Sequence, residues 1–174
     1  MTTAKTPEFS NAQVIELLLQ QYKLSGQLKK LPGYCDQNLL LNTDDGKQYI
    51  VKIANAVEPK LELEMQNAAM AHLTHKQCAV PCAVNNIQGD NISIITDVSK
   101  QSFCLRVLTF IPGKFYADAN SNTHSRALWT DLGQFIGNID SALADFQHPG
   151  AFRYLDWDLA QGYRVCMRKK HLLN

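Results

Sequence analysis

The stretch NLLLNTDDGKQYIVKIA (residues 38–54) contains two apolar runs on either side of an Asp-Gly pair. Aliphatic runs joined by Asp-Gly are typical of a β-hairpin, because the glycine adopts the backbone conformation that a tight turn requires. The sequence therefore predicts one strand over Asn38–Asn42 and a second over Gln48–Ala54. Alternation of side chains places Ile50 and Lys52 on the same face of the second strand.

The segments around this hairpin extend the pattern into an α+β layout. Apolar residues at helical intervals predict a helix that begins near Ser10, one over about Pro59–His75 and one over Ser125–Phe146. A further strand is predicted over Gln27–Leu31, and after the second helix two or three more are predicted among Ala83–Ile87, Ile92–Asp97 and Phe103–Phe110. This order predicts a five-stranded antiparallel sheet with one helix inserted after its third strand.

Length and composition limit the class of protein. The chain has 174 residues, of which 45% are hydrophobic and 19% are charged, the balance of a globular domain with a real core. The net charge of +1 argues against a nucleic-acid or membrane-surface partner. A two-lobed enzyme of ordinary size does not fit this length. The odd cysteine count of five and an N-terminus without an apolar signal region predict reduced thiols and a cytoplasmic location.

Lys52 is the residue of the hairpin with the clearest chemical potential. A lysine in an apolar strand is costly unless it reaches solvent or an anion pairs with it. It is therefore either a solvent-facing lysine or a phosphate-binding lysine that a carboxylate of the next helix orients. That helix offers Glu58, Glu62 and Glu64. Spacing does not choose between Glu62 and Glu64, because both lie at the margins of the apolar stripe predicted through Leu61, Met65, Ala68, Ala69 and Leu73.

The turn Gly33–Asn38 is a candidate phosphate-facing loop. Its single glycine makes it a weak candidate, because a phosphate cradle normally brings several backbone N–H groups together, and an ordinary connection between strands explains the same residues. No metal site is predicted, since Cys78 and Cys82 lack a second pair of ligands. No Ser-His-Asp or Cys-His set can be assembled from the spacing.

A series of motifs in fixed order resembles a known family. They are LPGYCDQN (31–38), YIVKIAN (49–55), LEMQN (63–67), QGDN (88–91), LRVLTFIPG (105–113), LGQFI (132–136), FQHP (146–149) and WDL (157–159). In order and spacing they resemble the N-terminal part of the aminoglycoside-phosphotransferase-like kinases, within which they are most similar to the hydroxylysine kinase branch. The resemblance covers about residues 28–160 and implies a protein-kinase-like N-terminal lobe.

The resemblance implies a role for each candidate residue. Lys52 would contact the α- and β-phosphates of ATP or GTP, and Glu64 would be its ion-pair partner from the helix. The turn over the phosphates would contain Gly33, Tyr34, Asp36 and Asn38. The hinge that hydrogen-bonds the base would be Thr109, Phe110 and Ile111, and Ile50 would help to form the apolar wall.

The resemblance also implies a division of the chain and an activity. Residues 1–25 would be a helical extension, 26–113 the nucleotide-binding lobe with its hinge, and 114–174 a linker and the first helical part of a truncated larger lobe. The parent enzyme would transfer a phosphoryl group from ATP or GTP, with Mg²⁺, to an alcohol of an amino compound. The acceptor could equally be an aminoglycoside, choline or homoserine.

Two departures from the family leave a second reading open. Neither the His-Gly-Asp-type catalytic loop nor the metal-binding aspartate motif occurs in the sequence, so no catalytic residue and no metal ligand is predicted here. We therefore expect the chain alone to lack phosphoryl transfer. The alternative is a non-catalytic module that binds nucleotide or a partner. The apolar face of the helix over 125–146, together with Trp157, is predicted to be exposed and to support a homodimer.

Overall fold

The computed structural model describes residues 6–119, 124–153 and 158–170. Trp157, predicted to belong to the exposed apolar surface, lies outside these ranges. The helices are α1 (Asn11–Tyr22), α2 (Lys60–His75), α3 (Arg126–Leu143) and α4 (Gly162–Lys169). The strands are β1 (Gly26–Leu31), β2 (Gln37–Thr43), β3 (Gln48–Ile53), β4 (Ala83–Val84), β5 (Ser93–Thr96) and β6 (Ser102–Thr109). The chain after His148 thus includes a further short helix, α4.

The sheet is antiparallel and confirms the predicted α+β, kinase-like architecture. Its order is β1-β2-β3-β6, and both β4 and β5 pair with the outer side of β6. β5 pairs with the first half of β6 and β4 with Val107 and Leu108 near its end. Six strands therefore fill five positions, because the two short strands lie end to end along one edge. This explains the difference from the predicted five strands.

Helix α1 covers one face of the sheet. It begins with the predicted capping box, in which the Ser10 and Gln13 side chains each accept a backbone N–H of the other residue. Its buried side chains, Val14, Leu18 and Tyr22, pack on the apolar residues of the central strands. The strand residues that complete this core are Leu39, Leu41, Val51, Ile53, Leu105 and Val107. Their burial leaves the alternate residues, including Ile50 and Lys52, on the opposite face.

Helix α2 packs on that opposite face, and its buried residues, Leu63, Asn67 and Leu73, coincide with the predicted apolar stripe only at Leu73. Leu63 and Asn67 are buried, whereas Leu61 of the predicted stripe is 47% exposed. The backbone of Gly150 approaches this stripe so closely that a Cβ there would lie 2.5 Å from the Leu61 carbonyl oxygen and 3.0 Å from Met65 Cβ. The apolar stripe of α2 therefore contacts the chain after α3, and a more polar line of the helix faces the sheet.

Helix α3 contacts the end of α2 through a small polar cluster. The Asp145 carboxylate accepts hydrogen bonds from Lys76 Nζ at 2.8 Å and pairs with His72 Nε2 at 3.0 Å. The remaining apolar face of α3 is open, as predicted: Leu132 is 48% exposed and Ile136 is 52% exposed. Within the described ranges, no helix is both long and apolar enough to cross a membrane.

Candidate functional site

The α2 face of the sheet carries two parallel rows of side chains, which the strand register defines. Lys52 lies opposite Asn38 of β2 and Arg106 of β6, so these three residues form a polar row. Ile50 lies opposite Leu40 and Leu108, and Leu108 in turn lies opposite Ala83. Residues directly opposite each other in an antiparallel sheet share a face. The polar row and the apolar row therefore lie side by side.

Lys52 is half-buried in the polar row and has a neutral partner. Its Nζ donates a hydrogen bond of 2.9 Å to Asn38 Oδ1. Burial lowers the pKa of Lys52, because it disfavours the charged ammonium. The carboxylate of Asp36 opposes this effect, and the Arg106 guanidinium adds to it. The ammonium is thus held in place beside the sheet without a carboxylate in direct contact.

The predicted Lys52–Glu64 ion pair is absent from the structure. The Glu64 carboxylate pairs with Lys60, one helical turn earlier, and lines a polar cavity of about 590 Å³ beside the 86–94 loop. Glu64 lies roughly 100° around the helix from the buried Leu63, which turns it away from the sheet. The other helical candidate, Glu62, pairs with Arg153. Neither helical carboxylate contacts Lys52.

The turn before β2 is built around Gly33 and is connected to Lys52. A Cβ at Gly33 would overlap the carbonyl oxygen of Asp36 and lie 2.7 Å from Asn38 Nδ2, so only glycine fits this turn without displacement. Asn38 Nδ2 donates to the Pro32 carbonyl at 3.1 Å, while Asn38 Oδ1 accepts from the lysine. One amide side chain therefore joins the turn to the Lys52 ammonium.

The other end of the turn is fixed to the strand that carries Lys52. Asp36 Oδ1 accepts the backbone N–H of Asn55 at 3.0 Å and its side-chain amide at 3.4 Å. Asn55, just beyond β3, is itself buried. Tyr34, at the tip, is 92% exposed. The turn thus has a fixed base and an exposed tip.

The apolar row leads to the predicted hinge. Ile50, Leu40 and Ala83 are half-buried and Leu108 is buried, which forms an apolar wall next to the end of β6. Sequence reasoning identified Ile50 as part of this wall. It missed the other three, because only the register brings strands β2, β4 and β6 to the same row.

Two hydrogen bonds fix the start of the hinge. The Thr109 N–H donates to the Cys82 carbonyl and Thr109 Oγ1 accepts the Cys82 N–H, both at 2.9 Å. The Thr109 amide is therefore already engaged within the protein. Phe110 and Ile111 follow immediately, outside any strand, and Ile111 is 45% exposed.

Arg106 is a charged residue of the site that sequence reasoning also missed. It is 2% exposed, and burial lowers the pKa of its guanidinium. Nη2 donates to Gln66 Oε1 at 2.8 Å, and Nη1 donates to Asn67 Oδ1 at 3.0 Å and to the Leu63 carbonyl at 3.4 Å. The signal in the sequence was an arginine in the middle of the apolar run LRVLTF, a position that requires hydrogen-bonding partners.

Metal-binding groups do not accompany this site. Among residues 6–119, 124–153 and 158–170, no three His, Cys, Asp or Glu side chains are close enough to hold a metal ion. All five cysteines, which lie within these ranges, are unpaired thiols. The described residues therefore provide an anion-attracting row and an apolar wall, but no group of metal ligands.

The fold is shared with small-molecule kinases of known structure. An amicoumacin kinase, solved in complex with AMP-PNP, Ca²⁺ and Ami, matches with a TM-score of 0.75 at 18% identity, over 95% of this chain and 52% of that chain. A microcompartment-associated aminopropanol kinase matches with a TM-score of 0.64 at 17% identity, over 87% of this chain and 46% of that one. The fold is that of the N-terminal lobe of such kinases.

Sequence comparison gives the family. Residues 27–173 match the phosphotransferase enzyme family, APH, and the chain belongs to this family. Hydroxylysine kinase of Mus musculus is 32% identical in an alignment of length 160 that covers 82% of this chain and 41% of the mouse protein. Hydroxylysine kinase of Danio rerio is 25% identical over 154 residues, 85% of this chain and 42% of that protein. The chain spans about two fifths of the length of these curated relatives.

Proposed function

We propose that residues 26–113 form the nucleotide-binding lobe of a small-molecule kinase and bind ATP or GTP on the α2 face of the sheet. The observation that carries this proposal is the Lys52 ammonium, which is half-buried and, among the residues that the structure describes, donates a hydrogen bond only to the neutral Asn38 amide. It lies one row away from an apolar wall that ends at the hinge. A flat base and a polyphosphate require this combination of an apolar slot beside an uncompensated cation.

In this proposal the base lies against Ile50, Leu40 and Leu108. The backbone groups of Phe110 and Ile111 hydrogen-bond its edge. Thr109 acts differently from the sequence prediction: its N–H is already donated to Cys82, so it anchors the hinge and leaves base recognition to the two residues that follow.

The phosphates lie over the polar row. Lys52 exchanges its Asn38 partner for phosphate oxygens, a stronger charge-assisted contact. The turn of Gly33, Tyr34, Asp36 and Asn38 covers them, with its base held by Asn55 and its tip open to solvent. Glu64 has no direct role in this arrangement, because its carboxylate faces Lys60.

For the whole reaction we propose transfer of the terminal phosphoryl group to an alcohol of an amino compound. The relatives named hydroxylysine kinase and aminopropanol kinase support this acceptor class. An aminoglycoside, choline or homoserine remains an alternative acceptor. Mg²⁺ would neutralise the charge that develops on the phosphates, and we assign no ligand for it in this chain. We expect the chain alone to bind nucleotide in the cytoplasm without transferring phosphate.

Substitution of Lys52 tests the nucleotide site. Lys52→Met removes the ammonium and keeps an unbranched apolar stem, so binding of ATP should weaken about tenfold or more. Lys60→Met is the matched control, because it removes an exposed lysine from the outer side of α2, where the ammonium pairs with Glu64. Calorimetry with ATP, GTP and adenosine, with and without Mg²⁺, gives the affinities.

The outcomes separate the proposed functions. Loss of triphosphate affinity in Lys52→Met with unchanged affinity in Lys60→Met supports the site. Equal affinity of both variants for ATP would refute the role of Lys52, and absence of ATP and GTP binding by the unmodified chain would refute the nucleotide site and favour a partner-binding module. Formation of phosphorylated hydroxylysine by the chain alone would contradict the expected lack of transfer.

We also propose that the open apolar face of α3, centred on Leu132 and Ile136, supports association of two copies. Its exposure is the observation that favours this, since contiguous apolar surface is uncommon on a monomer. Light scattering of the unmodified chain and of Leu132→Glu tests it. A monomer at high concentration, or a dimer that Leu132→Glu leaves intact, would refute this surface.

A further inference from the structure

Arg106 is a buried cation whose contacts are all neutral. Its guanidinium donates to two side-chain amides and one backbone carbonyl, all on α2. No carboxylate among the described residues lies within ion-pair distance of it. Buried arginines are normally paired with an acid, because an uncompensated charge is costly to remove from water. The positive charge of Arg106 is therefore held inside the protein but not neutralised by contact.

The position of this charge relates it to the proposed phosphate site. Arg106 lies directly opposite Lys52 in the β3–β6 register, and directly opposed Cα atoms are about 4.5 to 5.5 Å apart. The carboxylate of Asp36 acts electrostatically on both, and its Oδ1 already accepts two hydrogen bonds from Asn55. Glu58 acts on Arg106 more weakly and also contacts Arg153. Two cations thus share one row of the sheet, each hydrogen-bonded only to neutral groups.

The same contacts fix the helix. The three acceptors of Arg106 belong to Leu63, Gln66 and Asn67, consecutive positions of the face of α2 that lies on the sheet. Asn67 extends the connection, since its Nδ2 donates to the side chain of Asn91 at 3.2 Å. A strand-to-helix connection made by a lysine and a glutamate would cancel the charge of the lysine. Because the acceptors of Arg106 are neutral, its connection to the helix cancels neither its own positive charge nor that of Lys52.

We infer that Arg106 is a positioning residue of the phosphate site: it ties α2 to β6 through neutral acceptors and keeps a second positive charge beside Lys52. This inference rests on the proposed nucleotide site and adds a residue that acts on the phosphates without touching them. The charge of Arg106 attracts a polyphosphate and, by repelling the Lys52 ammonium, favours exchange of the Asn38 contact for a phosphate contact. The affinity of a ligand without phosphate does not depend on the charge of Arg106.

Gln66→Glu separates the charge of Arg106 from its structural role. The substitution keeps the shape of the side chain and its 2.8 Å acceptor, and it converts the contact into an ion pair that cancels the charge. We expect AMP-PNP to bind about tenfold more weakly and adenosine to bind within about twofold of the unmodified chain, with an unfolding temperature that does not fall. Measurements without Mg²⁺ leave the protein as the only source of positive charge.

Gln134→Glu is the matched control, because it adds the same charge on the exposed surface of α3. AMP-PNP binding should not change in this variant. Arg106→Lys and Arg106→Met complete the series: the lysine retains the charge and should restore most of the AMP-PNP affinity that the methionine loses. If Arg106→Met does not fold, the AMP-PNP and adenosine affinities of Gln66→Glu still test the inference.

Each outcome has one meaning. AMP-PNP binding by Gln66→Glu at the affinity of the unmodified chain would overturn the inference and leave the nucleotide site standing. Equal loss of adenosine and AMP-PNP affinity would assign Arg106 a purely structural role and would also overturn it. An unmodified chain that binds neither ligand would refute the nucleotide site, and the inference with it.

Discussion

Gly33→Ala is the substitution that best tests the link between the turn and Lys52. The added Cβ would overlap the Asp36 carbonyl oxygen and lie 2.7 Å from Asn38 Nδ2. Ordinary van der Waals contact begins at 3.4 Å, so the Asn38 amide must move by roughly 0.7 Å. A displacement of this size is enough to break the 3.1 Å hydrogen bond from Asn38 to the Pro32 carbonyl.

The expected cost follows from these contacts. Overlap in a packed turn costs about 1–3 kcal/mol and the lost hydrogen bond about 1 kcal/mol, whereas the less flexible unfolded chain returns about 0.4–1 kcal/mol. The free energy of unfolding should therefore fall by about 1–3 kcal/mol, and the unfolding temperature by about 3–10 °C. The proposed function places this turn over the phosphates, so its displacement should also lower AMP-PNP affinity, by about tenfold.

Thermal unfolding and calorimetry with AMP-PNP and adenosine measure both effects. Gly113→Ala is the control, since a Cβ there meets no atom within 4 Å, and it should keep the affinity and the stability of the unmodified chain. A Gly33→Ala protein with unchanged stability would show that the turn can open at no cost. Reduced stability with unchanged AMP-PNP affinity would refute the proposed position of the turn over the phosphates.

Three further predictions concern charge and packing. Burial lowers the pKa of Lys52, so its side chain loses its proton at a pH below the ordinary pKa of 10.5. In calorimetric titrations AMP-PNP affinity should therefore decline as the pH rises above neutrality, whereas adenosine affinity should not. Gly137 lies within α3, and a Cβ added there meets no atom within 4 Å. Gly137→Ala should therefore raise the free energy of unfolding by about 0.5–1 kcal/mol in denaturant titrations, and a decrease would show that this side of α3 is packed. Gly150→Ala should lower the free energy of unfolding by about 1–3 kcal/mol, because its Cβ meets the Leu61 carbonyl oxygen. The chain after α3 should then be cut more readily in limited proteolysis, and resistance equal to that of the unmodified chain would contradict this packing.

Much of the fold is readable from local patterns. The Asp-Gly turn and the flanking aliphatic runs predict the β2–β3 hairpin, and alternation correctly separates Lys52 from the core residues on the other side of the strand. The capping box at Ser10 gives the start of α1. These features depend on residues close in sequence, so a single sequence contains the information needed to predict them.

The helix after the hairpin shows where such patterns fail. Spacing places Leu61 and Met65 on one apolar stripe, yet Leu61 is 47% exposed, and its carbonyl oxygen and Met65 Cβ lie against Gly150, far along the chain. The sheet contacts Leu63 and the polar residues Gln66 and Asn67 instead. Periodicity gives the existence of an amphipathic helix, but it cannot state which of two neighbouring surfaces the apolar stripe covers.

The sequence by itself determined that this chain is an α+β kinase-like lobe with a lysine on the open face of its third strand. Only the tertiary structure decided what surrounds that lysine. Strand register placed Asn38 and Arg106 beside Lys52, and the rotation of α2 turned Glu64 away toward Lys60. Register and helix rotation depend on contacts between residues distant in sequence, so local spacing could not reveal that a buried arginine, and not a glutamate, connects the helix to the sheet.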